Sequence, residues 1–261
     1  MSKHAEGMRT ALVTGANKGI GFATARALAE AGFKVWLGAR SNERGRIAEA
    51  GLRAAGLDVN LIQLDVTDRS SIEAAARKMR SVSPSLDVLV NNAGVMNEVI
   101  GKELQTIPPS AVSTEQLRAI YETNVLGVVA VTQIMLPLLY NSSAGRIVNV
   151  SSRLGSLACL SDPKGPPRSL NMIGYSSSKA ALNAVTVTFA IQLKDTPIKI
   201  NSVTPGTIAS DLSGTVNAEE LAGKPGFAPP EEGARLIVRY AMLSRDGPSG
   251  GFFGPDGETP W

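Results

Sequence analysis

Short apolar runs rich in β-branched residues alternate along this chain with longer segments whose apolar positions recur every three or four residues. The first pattern is that of buried strands and the second that of helices packed on one face. Residues 11–13 (Ala-Leu-Val) predict a first strand, followed by a glycine turn and a helix over 20–31 that Gly32 stops. A strand over 34–37 follows, and Asn42 is placed to cap a helix running through Ala55 and ending at Gly56. Further strands are predicted over 59–64, 88–90, 146–150 and 198–203, with a short last one over 251–253. Helices are predicted over 72–82, 114–136, 175–193 and 231–243, and Pro137 is expected to disturb the end of the second of these. Strands without polar alternation must be buried on both faces, which means a parallel sheet with helices on either side. The expected fold is therefore α/β, a doubly wound parallel sheet of about seven strands.

Two stretches break the alternation. Residues 154–174, with Pro163, Gly165, Pro166 and Pro167, and residues 217–230 predict loops beyond the carboxyl ends of strands, where ligands bind in such sheets. No long linker interrupts the 261 residues, so one domain over 1–261 is expected. Its cofactor part would cover roughly 8–150 and its catalytic and substrate part roughly 151–261.

Composition narrows the function. Apolar residues at 43% and charged residues at 19% are ordinary for a globular protein with a sizeable core. The net charge of +3 is spread without a basic patch, so no nucleic-acid partner is expected. Residues 1–10 are polar, and the most apolar stretch, 125–139, is interrupted by Thr132, Gln133 and Pro137 and is short for a bilayer. The single cysteine, Cys159, allows no internal disulfide; a cytoplasmic protein without a membrane partner is the expectation. Cys159 reads either as a redox-sensitive thiol or as an inert loop side chain. The lone histidine, His4, lies near the amino terminus, which argues against a Ser-His pair or a histidine-rich metal site.

Chemistry concentrates in two places. After the first strand comes Thr14-Gly15-Ala16-Asn17-Lys18-Gly19-Ile20-Gly21, opening directly into a helix. Its glycines permit a tight turn and close approach of a diphosphate, and the helix start offers free N–H groups to the anion. A plain strand-to-helix turn would share the glycines but not the context. A chain of this fold that binds NAD carries an acid near the end of the second strand to hold the ribose 2′-hydroxyl. Here Leu37-Gly38-Ala39-Arg40-Ser41 has an arginine and no acid. Arg40, with Lys18, would suit a 2′-phosphate and hence NADP(H), although either cation alone could be a surface residue.

The second place is Tyr175-x-x-x-Lys179, with Ser152 upstream at the end of a strand. Four residues make about one helical turn, so phenol and ammonium share a helix face. A cation there would lower the phenol pKa towards neutrality. The spacing alone is common in helices and carries little weight.

Thr14-Gly15-x-x-x-Gly19-x-Gly21, Asp65-Val66, Asn91-Asn92-Ala93-Gly94, Asn124, Ser152, Tyr175-x-x-x-Lys179 and Pro205-Gly206 occur in one order over nearly the whole chain. In that ordered set the chain resembles the short-chain dehydrogenase/reductase family, whose fold is Rossmann-type. Its glycine turn and Ala39-Arg40 are similar to those of NADPH-dependent carbonyl reductases. The resemblance implies that Asn124, Ser152, Tyr175 and Lys179 are catalytic. It implies that Gly15, Asn17, Lys18, Gly19, Ile20, Gly21 and Arg40 bind cofactor, with Asp65 and Val66 at the adenine. Asn92, Ala93 and Gly94 would form the cofactor floor, Lys179 would hold the nicotinamide ribose beside Tyr175, and Pro205, Gly206, Ile208 and Ser210 would lie along the nicotinamide. Ser151 is a less favoured choice than Ser152. Asn124 would distort its helix and hold a water linking Lys179 to solvent. The segment 162–168 lengthens the gap from Ser152 to Tyr175, leaving monomer or homo-oligomer open. Met96, Leu154, Met172, Ile173, Leu212 and Phe227 are candidate walls of an apolar substrate pocket. The expected activity is NADPH-dependent reduction of a ketone or aldehyde. An alcohol or steroid dehydrogenase working oxidatively, and a non-catalytic NADP(H) sensor, are the alternatives.

Overall fold

In the computed structural model, which describes residues 8–101, 105–167 and 169–261, the apolar runs lie side by side in one sheet. His4 and Arg168 fall outside the described residues. The elements begin with β1 (Thr10–Val13), α1 (Gly19–Glu30), β2 (Lys34–Ala39), α2 (Asn42–Ala54), β3 (Val59–Gln63), α3 (Arg69–Val82) and β4 (Val88–Asn91). A small hairpin of β5 (Val99–Ile100) and β6 (Gln105–Thr106) precedes α4 (Thr114–Tyr121), α5 (Gly127–Tyr140), β7 (Arg146–Val150) and α6 (Leu157–Ser161). The chain then forms α7 (Ile173–Gln192), β8 (Lys199–Val203), α8 (Ala218–Leu221), α9 (Pro230–Ala241), β9 (Phe252–Gly254) and β10 (Gly257–Glu258).

The sheet order is β10-β9-β8-β7-β4-β1-β2-β3, parallel except where β10 runs back along β9. The sheet thus has eight strands rather than about seven. The unforeseen one is β10, two exposed residues with no apolar pattern to mark them. Successive residues of a strand point to opposite faces, so each strand feeds two cores. Ala11 and Val13 pack with α1, α2 and α9, whereas Leu12 packs with α3, α5 and the end of α7. Each such fully buried leucine contributes about 2 kcal/mol.

Several local expectations need correction. Ser41, not Asn42, caps α2: its Oγ accepts from the Arg44 amide at 3.3 Å, while Asn42 opens the helix and donates to Gln63 Oε1. The helix over 114–136 runs on through Pro137 to Tyr140, because the proline removes one backbone donor while Leu138 and Leu139 remain buried. Glu122–Leu126 within it is a π turn. The continuous helix Thr114–Tyr140 is thus long and apolar enough to cross a membrane by length and composition, contrary to the reading of 125–139. In the fold, 56% of its most apolar stretch is buried. The loops 154–174 and 217–230 each contain a short helix, α6 capped by Ser156 and α8 capped by Asn217. One- and two-turn helices are too short for periodicity to reveal.

Several buried polar groups in the sheet are paired with one another, although Asn91 Oδ1 and Trp36 Nε1 have no partner among the described residues. Asn91 Nδ2 donates to Thr132 Oγ1 (3.1 Å) and Asn149 Oδ1 (2.9 Å), and Asn149 Nδ2 donates to Thr186 Oγ1 (2.8 Å). Thr186 and Ser202 share a bond of 2.8 Å, which joins α7 to β7 and β8. At the opposite end of β7, buried Arg146 donates to the carbonyls of Leu243 (2.9 Å), Gly145 (2.8 Å), Pro197 (3.1 Å) and Ser244 (3.0 Å). Burial lowers its pKa from the usual arginine value. Arg146→Met strips these carbonyls of a charged donor and is expected to cost roughly 2–4 kcal/mol. A urea titration checks this; an unchanged midpoint would mean that water serves the carbonyls equally well.

Candidate active site

Strand β1 neighbours β2 on one side and β4 on the other, so the chain order reverses between β1 and β4. A crevice opens beyond the carboxyl ends at such a point. The glycine turn leaving β1 is pressed against the residues leaving β4. A Cβ on Gly15 would lie 3.0 Å from Ala93 Cα, and one on Gly21 would lie 2.4 Å from Asn92 Nδ2. Gly15 also has φ +63°, in the left-handed region that favours glycine. Thr14 Oγ1 accepts from the amides of Asn92 (2.9 Å) and Ala93 (3.0 Å). Asn92 Nδ2 returns bonds to the carbonyls of Thr14 (2.9 Å) and Gly15 (3.2 Å). Thr14, quoted in the motif without a role, is therefore the residue that fastens the two loops. Helix α1 starts after Lys18 with no side-chain cap, leaving its first N–H groups for an anion. This glycine cradle and open helix start fit the diphosphate of a dinucleotide.

Arg40 follows β2, exposed and without an ion pair among the described residues. Lys18 is differently placed from the expectation, because its Nζ lies 2.7 Å from Asp211 Oδ2. Burial pushes the Asp211 carboxyl up, but Lys18 and the Ala218 amide outweigh it and hold the group below the usual value. Asp65 Oδ1 accepts from the Thr67 amide (3.0 Å) and Thr67 Oγ1 (2.7 Å), with Val66 buried beside it. Asn91 turns its side chain into the core, so only the residues after it line the crevice.

At the other end of the crevice four expected residues come together. Ser152 follows β7, and its hydroxyl lies near enough to the Tyr175 phenol to lower the phenol pKa. Ser151 instead points inward, donating to Asn183 Oδ1 at 2.7 Å. Lys179 donates from Nζ to the Val150 carbonyl at 2.8 Å and lies 5.6 Å from the centroid of the Tyr175 ring. Asn124 sits in the π turn, where the extra residue of the turn distorts the helix as expected. Its Oδ1 accepts from the Val95 amide (2.9 Å), and its Nδ2 donates to the Val95 carbonyl (2.9 Å) and Ser178 Oγ (3.0 Å). A Cβ on Gly94 would lie 3.4 Å from Asn124 Oδ1 and 3.6 Å from Lys179 Nζ, so the floor of the crevice meets both.

The expected drop in the tyrosine pKa is not found. Burial pushes the Tyr175 phenol up to about 12, against the opposing pull of the Ser152 hydroxyl. Burial also pushes the Lys179 ammonium down to about 8. Both changes favour the neutral form, and the attraction between cation and phenolate does not overcome them. Val99, Leu154, Met172 and Tyr175 form a buried cluster against which Met96, Leu160, Leu170 and Leu212 pack. Met96, Leu154, Met172 and Leu212, four of the six proposed wall residues, belong to this cluster. Ile173 is 42% exposed, and Phe227 packs instead against Ala209, Val216 and Leu221. Pro205, Gly206, Ile208 and Ser210 leave β8 in a loop tied to Ala228 by bonds from Ala209 and to Thr207, and Leu212 in that loop accepts from the Met96 amide at 3.2 Å. Cys159 is buried in α6. Glu98, overlooked in the sequence, is fully buried and accepts from the amides of Gly174 (2.8 Å) and Tyr175 (2.6 Å).

This geometry has counterparts among known proteins. The family model described as short chain dehydrogenase matches residues 9–221. A (-)-isopiperitenone reductase of Mentha piperita is 33% identical, covering 97% of this chain and 98% of that protein. The structure of salutaridine reductase from Papaver somniferum superposes with a TM-score of 0.76 at 29% identity, covering 95% of this chain and 99% of its own. The NADPH-bound carbonyl reductase from chicken fatty liver superposes with a TM-score of 0.79 at 25% identity, covering 97% and 99%.

The buried lysine makes stability depend on pH. Below pH 8 Lys179 is charged in both folded and unfolded chains, and its full burial penalty applies. Above pH 8 and up to its ordinary value of 10.5 the unfolded chain binds more protons, so stability should rise with pH. The slope from this one group is at most about 1.4 kcal/mol per pH unit. Tyr175 acts in the opposite sense only above pH 10, where its ordinary value is passed. Urea titrations of the wild type and Lys179→Met between pH 7 and 10 should show the gap moving in favour of the wild type. A gap independent of pH would contradict the burial of this ammonium.

Proposed function

The chain belongs to the short chain dehydrogenase family, and from that premise we propose an NADPH-dependent carbonyl reductase acting on small or medium apolar ketones or aldehydes. The observation that carries this reading is the meeting of Tyr175 with Ser152 beside Lys179 in an apolar cluster. As a family member the chain is an NAD(P)-dependent oxidoreductase. That similar proteins are named reductases, and that one is NADPH-bound, supports the direction and cofactor.

NADPH, when bound, supplies the hydride. The glycine turn from Gly15 to Gly21, with Asn17 and Ile20, and the first N–H groups of α1 hold the diphosphate. Arg40, without an ion pair among the described residues, is assigned to the 2′-phosphate, whereas Lys18 is paired with Asp211. Asp65 and Val66 would bound the adenine end, and Asn92, Ala93 and Gly94 would form the cofactor floor. Pro205, Gly206, Ile208 and Ser210 would flank the nicotinamide, and Lys179 would hold its ribose. Tyr175 keeps its proton at neutral pH, because burial raises its pKa to about 12. It donates that proton to the substrate oxygen as negative charge develops there. The Ser152 hydroxyl donates to the same oxygen. The Lys179 ammonium offsets the phenolate left behind, and Asn124 holds the floor against α7. Met96, Leu154, Met172 and Leu212 exclude water and favour an apolar substituent. One sheet with both helix layers spans Thr10 to Glu258, which supports a single domain over 1–261.

Tyr175→Phe should lower carbonyl turnover by roughly a hundred-fold or more while leaving the NADPH dissociation constant within about two-fold. Near-normal reduction of a ketone panel by this variant would refute the assignment. Arg40→Ala should weaken NADPH binding about ten-fold and leave NADH binding unchanged. Equal effects on both, read by fluorescence titration, would remove Arg40 from the 2′-phosphate.

A further inference from the structure

We propose that Glu98 is a positioning residue for proton transfer: its carboxylate caps α7 from another part of the chain and so holds Tyr175 against Ser152. The inference rests on the reading of Tyr175 as the proton donor. A helix leaves its first N–H groups without partners, and a Ser, Thr, Asp or Asn at the cap position usually accepts from them. In α7 the cap position is Met172, whose side chain makes no such bond. Gly174 and Tyr175 are the second and third residues of that helix, and their amides donate to Glu98 Oε1 at 2.8 Å and Oε2 at 2.6 Å.

The site is built for a carboxylate. Glu98 is 0% exposed, and among the described residues no cation pairs with it. The two amides and the positive end of α7 therefore balance its charge. Gly174 leaves the space: a Cβ there would lie 2.8 Å from Leu117 Cδ2 and Ile120 Cδ1 and 3.2 Å from Glu98 Oε2. The backbone of Glu98 is fixed as well, donating to the Met96 carbonyl (2.8 Å) and accepting from the Ile107 amide (2.8 Å) at the base of the β5–β6 hairpin. The next residue, Val99, packs in the cluster around Tyr175. Lys179 lies one turn further along α7 and is held separately by the Val150 carbonyl.

That separation distinguishes positioning from general stabilisation. Glu98→Gln keeps the shape, but it replaces one acceptor by an NH₂ facing an N–H. The first turn of α7, with Tyr175, loosens, while the turn with Lys179 stays. The expected result is a fall in kcat of ten-fold or more with the NADPH dissociation constant within two-fold of the wild type. An unchanged kcat in a variant with a lower melting temperature would overturn the proposal, and so would parallel loss of kcat and NADPH affinity. Amide exchange in the wild type tests the cap without any variant, should Glu98→Gln fail to fold. The Gly174 and Tyr175 amides should exchange at least ten-fold more slowly than the uncapped first-turn amides of α1. Exchange as fast as in α1 would overturn the cap. Absence of carbonyl turnover by the wild type would sink the reductase reading alone, since the exchange measurement does not depend on it.

Discussion

The site depends on how closely α7 can approach the turn that follows β7. A Cβ at Gly155 would lie 2.6 Å from the Lys179 carbonyl carbon and Cβ, so only glycine permits the contact. The approach puts Lys179 Nζ on the Val150 carbonyl and the phenol of Tyr175 near Ser152. Bonds between Ser151 and Asn183, and among Asn149, Thr186 and Ser202, fix the same helix to the same strands further along. Such buried polar pairs specify one docking geometry because any other would leave the groups unsatisfied. The reacting side chains thus stand on two rigid elements, not on mobile loops.

Burial then decides the chemistry of the pair. A phenol and an ammonium in an apolar cluster both prefer to be neutral, which raises one pKa and lowers the other. Tyr175 is accordingly a firm holder of its proton at neutral pH, suited to giving it up only as charge appears on a partner oxygen. Lys179 keeps its charge below about pH 8, where it can answer a phenolate as it forms. A solvated pair would show the reverse, a tyrosine poised to ionise before any substrate arrives.

Much of this was legible in the chain. The β-branched runs marked the strands of the parallel sheet, because strands buried on both faces need no polar alternation. The glycine turn and the Tyr175–Lys179 spacing marked both ends of the crevice, since each depends on local geometry. What stayed hidden depends on contacts between distant segments. The direction of the Tyr175 pKa follows from burial by Val99, Leu154 and Met172, which no spacing reveals. Lys18 pairs with Asp211, nearly two hundred residues away, Ile173 is exposed, and Phe227 packs in a separate cluster with Ala209, Val216 and Leu221. Glu98 was invisible for the same reason, although the lack of a capping residue before α7 was a signal. A long apolar helix that starts after Met172 must find its acceptors elsewhere.

The loops around the crevice are held by one another rather than by the sheet alone. Glu98 joins the β4–α4 connection to α7, Met96 joins it to Leu212 in the loop after β8, and Asp211 joins that loop to Lys18 in the glycine turn. These links differ in strength. The Glu98 bonds are buried and charge-assisted, so they hold firmly. The Lys18–Asp211 pair is half exposed at the lysine and contributes at most about 1 kcal/mol. The crevice is therefore rigid where Tyr175 stands and weakly fastened where the glycine turn meets the loop after β8.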